Sequence, residues 1–95
     1  MIRVDVGPRF LRTALKLGPQ FTAKAEEKLS LVMARFADPH RHSGLGIRKL
    51  GPNSYEIRLW LQWRIVFIQE SDRLIAYDIM NHDEVRAWLK GRKGN

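Results

Sequence analysis

The stretch Tyr55-Glu56-Ile57-Arg58-Leu59-Trp60-Leu61-Gln62-Trp63-Arg64-Ile65-Val66-Phe67 decides the fold. Every odd position from Tyr55 to Phe67 is apolar, while Glu56, Arg58, Gln62 and Arg64 fall on even ones. Such period-two alternation marks a half-buried strand, because successive side chains point to opposite faces. A single strand of this length would far exceed the usual five or six residues, so a bend is expected inside it. No Gly, Pro, Asn or Asp lies between Leu59 and Phe67, and register must therefore place the turn. A one-residue slip sends the apolar face into water, so a regular turn that keeps both faces has an odd number of loop residues. A three-residue loop, Trp60–Gln62, sets Leu59 opposite Trp63, Ile57 opposite Ile65 and Arg58 opposite Arg64. By the same rule the polar turn Glu70-Ser71-Asp72 sets Phe67 opposite Ile75, Ile65 opposite Tyr77 and Trp63 opposite Ile79, with Arg64 facing Asp78.

Outward from this centre, Ile2, Val4 and Val6 alternate with Arg3 and Asp5 as a short strand. Gly7-Pro8 and Gly18-Pro19 each put a proline where a first helical turn accepts it, so two helices follow. In the second, Phe21, Ala25, Leu29, Val32 and Phe36 form one stripe able to lie on a sheet, and Asp38-Pro39 stops it. The linker His40–Gly46 leads to a strand at Leu45–Leu50, ended by Gly51-Pro52-Asn53-Ser54. In the last helix Asn81 can cap, Glu84 completes a capping box, and Val85, Trp88 and Leu89 form the buried stripe, leaving Lys90–Asn95 as a polar tail. This order predicts an α+β fold with helices packed on one face of a mostly antiparallel sheet of four to five strands: two N-terminal helices and a short C-terminal one.

The chain has 95 residues, 17 Lys+Arg against 10 Asp+Glu, a formal charge of +7 and no cysteine. Length implies one domain, 1–95, and the absence of thiols leaves packing as the source of stability. At 44% hydrophobic and 28% charged it can bury a core, and its charge excess suits a polyanion. The longest run without charge is Leu17–Ala23, and the first ten residues lack an apolar leader core, so a cytoplasmic protein without a membrane span is expected.

The inferred register sets two guanidinium groups on adjacent strands with Cβ atoms about 5 Å apart, which is unfavourable unless something neutralises them. One reading is a partly paired surface row, with Asp78 beside Arg64 and Glu56 as a diagonal neighbour. The other is a phosphate clamp, because the planar fork of arginine matches phosphate oxygens. His82, just after the Asn81 cap, reads either as a proton donor for a leaving oxygen or as an exposed helix-start residue. His40 and His42 fall short of a metal-ligand set, so no metal or cofactor is expected. Parity places Trp60 on the Arg58 face, where it could stack on a base, and one of Arg48 and Lys49 must share that face.

Arg48-Lys49-Leu50-Gly51, Tyr55-Glu56-Ile57-Arg58-Leu59, Trp63-Arg64-Ile65-Val66-Phe67 and Asn81-His82-Asp83-Glu84-Val85, in this order of elements, resemble the RelE/ParE toxin superfamily of bacterial type II toxin–antitoxin modules. That resemblance implies two helices on one side of an antiparallel sheet. It also implies a metal-free endoribonuclease that cuts mRNA in the ribosomal A site with the 2′-hydroxyl as nucleophile, and an acidic antitoxin as partner. By the pattern of YoeB-like members, Arg58 and Arg64 bind the scissile phosphate, His82 is the general acid, and Lys49 is the basic residue of the preceding strand. The loop before Leu45–Leu50 has no carboxylate, which leaves His42 or Glu56 as base, and no Tyr or Phe adjoins His82. The alternatives are a ParE-like protein that inhibits DNA gyrase without catalysis and an inactive basic binding module.

Overall fold

A computed structural model describes residues 2–36 and 46–93. The expected helix stop at Asp38-Pro39, the linker histidines His40 and His42, and Leu45 lie outside the described residues.

Strand β1 (Arg3–Val6) leads through Gly7 into helix α1 (Pro8–Leu17), and α2 (Pro19–Arg35) follows after a single residue, Gly18. Gly18 closes α1 by donating its N–H to the Ala14 carbonyl at 3.1 Å. Its φ of 108° lies where a Cβ is strained, so glycine is required at this sharp joint. Strands β2 (Arg48–Gly51), β3 (Ser54–Trp60), β4 (Trp63–Glu70) and β5 (Arg73–Asn81) come next, then helix α3 (His82–Lys93). The expected polar tail is thus helical to Lys93, and β2 begins at Arg48 rather than Leu45.

The five strands form one sheet in the order β1-β5-β4-β3-β2, antiparallel except for the β1–β5 pair. Asp5 helps fasten that pair, accepting hydrogen bonds from Arg73 Nη1 at 2.6 Å and Arg3 Nε at 3.1 Å. The bond from Arg73, then that from Arg3, holds the Asp5 carboxyl below its ordinary 3.8, and the same contact raises Arg73. On one face lie α1 and α2, where Phe10, Ala14, Ala25 and Val32 meet Ile57, Leu59, Ile65, Phe67, Leu74 and Ile79. The α2 stripe is as expected: Phe21, Leu29 and Phe36 pack around the buried Ala25 and Val32.

Helix α3 does not join them. The intervening positions of the central strands, Val66 and Met80, are also buried, and Val85, Trp88 and Leu89 cover them from the opposite face. Sheet positions apolar on both sides need cover on both sides, so the two N-terminal helices share one face as expected, and the expectation is corrected only for the C-terminal helix, which takes the other.

Both hairpins also differ from the expected loops. Each has a two-residue turn, Leu61-Gln62 and Ser71-Asp72, whose first residue has φ of 55°. A shift in register follows each turn, leaving Leu59 extra between Arg58↔Arg64 and Trp60↔Trp63, and Tyr77 extra between Val66↔Asp78 and Phe67↔Ala76. An even turn plus one bulge residue keeps the faces of an odd loop beyond the bulge and reverses them between bulge and turn, so Leu74 and Ala76 take the inner face expected for Ile75 and Tyr77. Ile57↔Ile65 and Arg58↔Arg64 pair as expected, whereas Trp63 faces Asn81, Ile65 faces Ile79 and Arg64 faces Met80.

Asp78 is therefore not the neighbour of Arg64. Its carboxylate accepts hydrogen bonds from Thr13 Oγ1 at 2.6 Å and the Ile79 N–H at 2.8 Å, with Arg9 Nε at 3.6 Å. It joins α1 to the bulged part of β5.

Candidate functional site

Past the end of α3's cover, the same face of β2, β3 and β4 is polar. Pairing of Arg48 with Glu56 and of Arg58 with Arg64, together with strand alternation, puts all four side chains on this face. They line, with Gly46, an open cleft of about 340 Å³. Gly46 has φ of 76° where the chain enters the cleft, and the only sequence signal for it was its place in a glycine-containing linker.

Glu56 and Arg64 form the floor. Glu56 Oε2 lies 3.3 Å from Arg64 Nε, with side chains only 8% and 16% exposed. Arg64 Nη1 also approaches the Leu61 and Trp63 carbonyls at 3.4 and 3.5 Å, so this guanidinium is held from two sides. Arg58 and Arg48 are exposed, and among the described residues neither has a carboxylate partner. Three guanidinium groups thus face one carboxylate already engaged by Arg64, and the excess positive charge suits an anion approached by planar donors.

His82 is the first residue of α3 and is exposed. Asn81 Oδ1 accepts the Glu84 N–H at 2.8 Å while Glu84 Oε1 accepts the Asn81 N–H at 2.9 Å, the reciprocal capping box expected from the sequence. His82 is not among the cleft-lining residues. It follows β5 two positions past Met80, the partner of Arg64, at the end of the sheet that carries the β3–β4 turn.

Two other residues do not belong to the site. Lys49 pairs with Tyr55, whose ring stands edge-on to Phe36 at 5.0 Å, so Lys49 lies on the α2 face and Arg48 is the basic residue of β2 on the Arg58 face. Trp60 also lies on the α2 face, 5.2 Å from the Phe21 ring with Lys24 Nζ 5.5 Å from its centroid. The Leu59 bulge reversed its parity and removes it as a base-stacking platform beside Arg58. His42 lies outside the described residues. Among the described residues no group of three His, Asp or Glu could hold a metal, and no helix is long and apolar enough to cross a membrane.

No family model and no curated protein matches the sequence. Solved structures do match. The RelB–RelE antitoxin–toxin complex from Methanococcus jannaschii contains a chain similar at TM-score 0.65 and 13% identity, over 88% of this chain and 96% of that one. A copper-bound mutant toxin from Helicobacter pylori is similar at TM-score 0.62 and 20% identity, over 90% of this chain and 99% of that one. At these identities the likeness is one of fold, and the chemistry must be argued from the cleft.

Proposed function

The chain has the fold of the RelE/ParE toxin superfamily, and from that fold together with the arginine cleft we propose a type II toxin that cuts mRNA in the ribosomal A site without a metal. The observation that carries the reading is the direct pairing of Arg58 with Arg64 across β3 and β4, with Glu56 beneath Arg64. Like charges in adjacent positions repel in the free protein, and a bound phosphate turns that repulsion into bidentate attraction.

In the proposed reaction the RNA 2′-oxygen attacks phosphorus, the bond from phosphorus to the 5′-oxygen breaks, and a cyclic phosphate and a 5′-hydroxyl result. Arg58 and Arg64 bind the phosphate and stabilise the charge that builds on its oxygens in the transition state. His82 donates a proton to the departing 5′-oxygen. The proton of the 2′-hydroxyl goes to a base, for which Glu56 and His42 are the candidates. Glu56, engaged by Arg64 Nε and nearly buried, fits a positioning role for that guanidinium. Arg48 takes the place that the sequence resemblance gave Lys49. A chain of charge +7 calls for an acidic antitoxin, and the ribosomal target places the proposed activity in the cytoplasm.

Expression in cells, with transcript ends mapped by primer extension, tests this. Discrete cuts are expected with the wild type and none with folded His82→Ala. Growth arrest with intact mRNA and broken DNA would replace this proposal with gyrase inhibition. Equal cutting by His82→Ala would remove His82 from the mechanism.

A further inference from the structure

Helix α3 carries one flank that neither the core nor the cleft uses. Its buried stripe is bounded by Trp88, whose ring lies 5.5 Å from Tyr77 on β5, and Leu89, which joins Leu50 of β2. Trp88 therefore marks the β5 side of the helix and Leu89 the side toward β2 and β3. At 100° per residue, His82, Arg86 and Lys90 fall beyond Leu89 on that second side, a four-residue series that winds gradually outward from the end of the sheet where Arg64 and Met80 pair. All three are exposed. Arg86 and Lys90 have no carboxylate partner among the described residues, since Glu84 is committed to the cap and Asp83 forms no ion pair. Arg86 and Lys90 also border, with Ala87 and Leu89, a surface concavity of about 570 Å³.

We propose that this flank is a second RNA-binding section, in which Arg86 and Lys90 hold backbone phosphates of the strand that leaves the Arg48–Arg58–Arg64 cleft past His82. The inference rests on the RNA-cleavage reading and extends it from one phosphate to a track. The rise between i and i+4 on a helix, about 6 Å, is close to the step between phosphates of an extended single strand. Polyanion binding needs only a line of unpaired cations along the strand path, and the flank supplies one.

The test is binding of single-stranded oligodeoxynucleotides, which lack the 2′-hydroxyl and are not cut, to full-length protein over a salt series. The double variant Arg86→Ala/Lys90→Ala should bind a ten-nucleotide probe with a log K against log salt slope about 1.4 units shallower, at roughly 0.7 per lost single-strand phosphate contact. Binding of a dinucleotide, which reaches only the cleft, should be unchanged, and both substitutions are on exposed positions that leave the fold intact. A slope equal to wild type overturns the inference while leaving the cleavage proposal standing. Loss of poly-L-glutamate binding with an unchanged oligonucleotide slope also overturns it, assigning the flank to an acidic protein. If wild type binds neither probe and cuts no transcript, both proposals fall together.

Discussion

The two faces of the central strands are built from alternate residues of the same segments, yet they do different work. On the α1–α2 face, Ile57, Leu59, Ile65 and Phe67 are almost wholly buried beneath two helices. On the α3 face, Val66 and Met80 are covered, but Glu56, Arg58 and Arg64 lie past the helix and open on the cleft. The first face determines whether the chain folds. The second has spare, partly repelling charge that folding does not need, and a surplus of this kind marks a place where a ligand completes the electrostatics.

The contrast can be broken most directly by truncating one residue on each face. Phe67→Ala should cost about 3–5 kcal/mol, because the ring is fully buried and two helices and a sheet cannot close over the cavity. For a domain of this size that approaches the whole stability, so urea unfolding should show a collapsed midpoint; a loss below about 1 kcal/mol would mean the core is not organised around this face.

Glu56 sharpens the comparison because it is a buried group on the polar face. Glu56→Ala leaves Arg64 without its carboxylate in a nearly buried setting and should cost about 2 kcal/mol, short of the full penalty for a broken buried pair because Arg64 borders the open cleft. Cleavage should fall with it. Glu56→Gln, which keeps a hydrogen-bond acceptor for Arg64 Nε, should restore part of the activity if Glu56 positions Arg64 and none if it is the base.

The smallest effect is expected at Arg58. Its removal relieves repulsion with Arg64, so Arg58→Ala should change stability by no more than about 0.5 kcal/mol, in either direction, in the same urea experiment. It should still abolish transcript cutting. A loss of several kcal/mol would show that Arg58 belongs to the folding face after all.

How much of this was legible depended on what a residue's neighbours in sequence can fix. The α2 stripe from Phe21 to Phe36 and the Asn81–Glu84 capping box rest on local spacing, and both stand as read. So does the Arg58–Arg64 pair, because a connection that sets Ile57 opposite Ile65 also sets those arginines opposite one another. The faces of Trp60 and the neighbours of Asp78 were not legible. Each lies where the chain has an even turn with a bulge instead of an odd loop, and the two differ in the faces of the residues between bulge and turn while both keep Ile57, Ile65 and Ile79 inward.

Sequence by itself therefore determined the order of strands and helices and the inner faces of α2, β3 and β4, since alternation and helical period are properties of single segments and burial selects them strongly. It also determined that arginines would meet on a polar face. Tertiary structure alone decided that α3 crosses to the opposite face, that Arg48 and not Lys49 joins the cleft, that Glu56 and not Asp78 neutralises Arg64, and that Trp60 turns to Phe21. The physical reason is that these outcomes depend on pairing between segments, which the alternation and helical period of each single segment leave open.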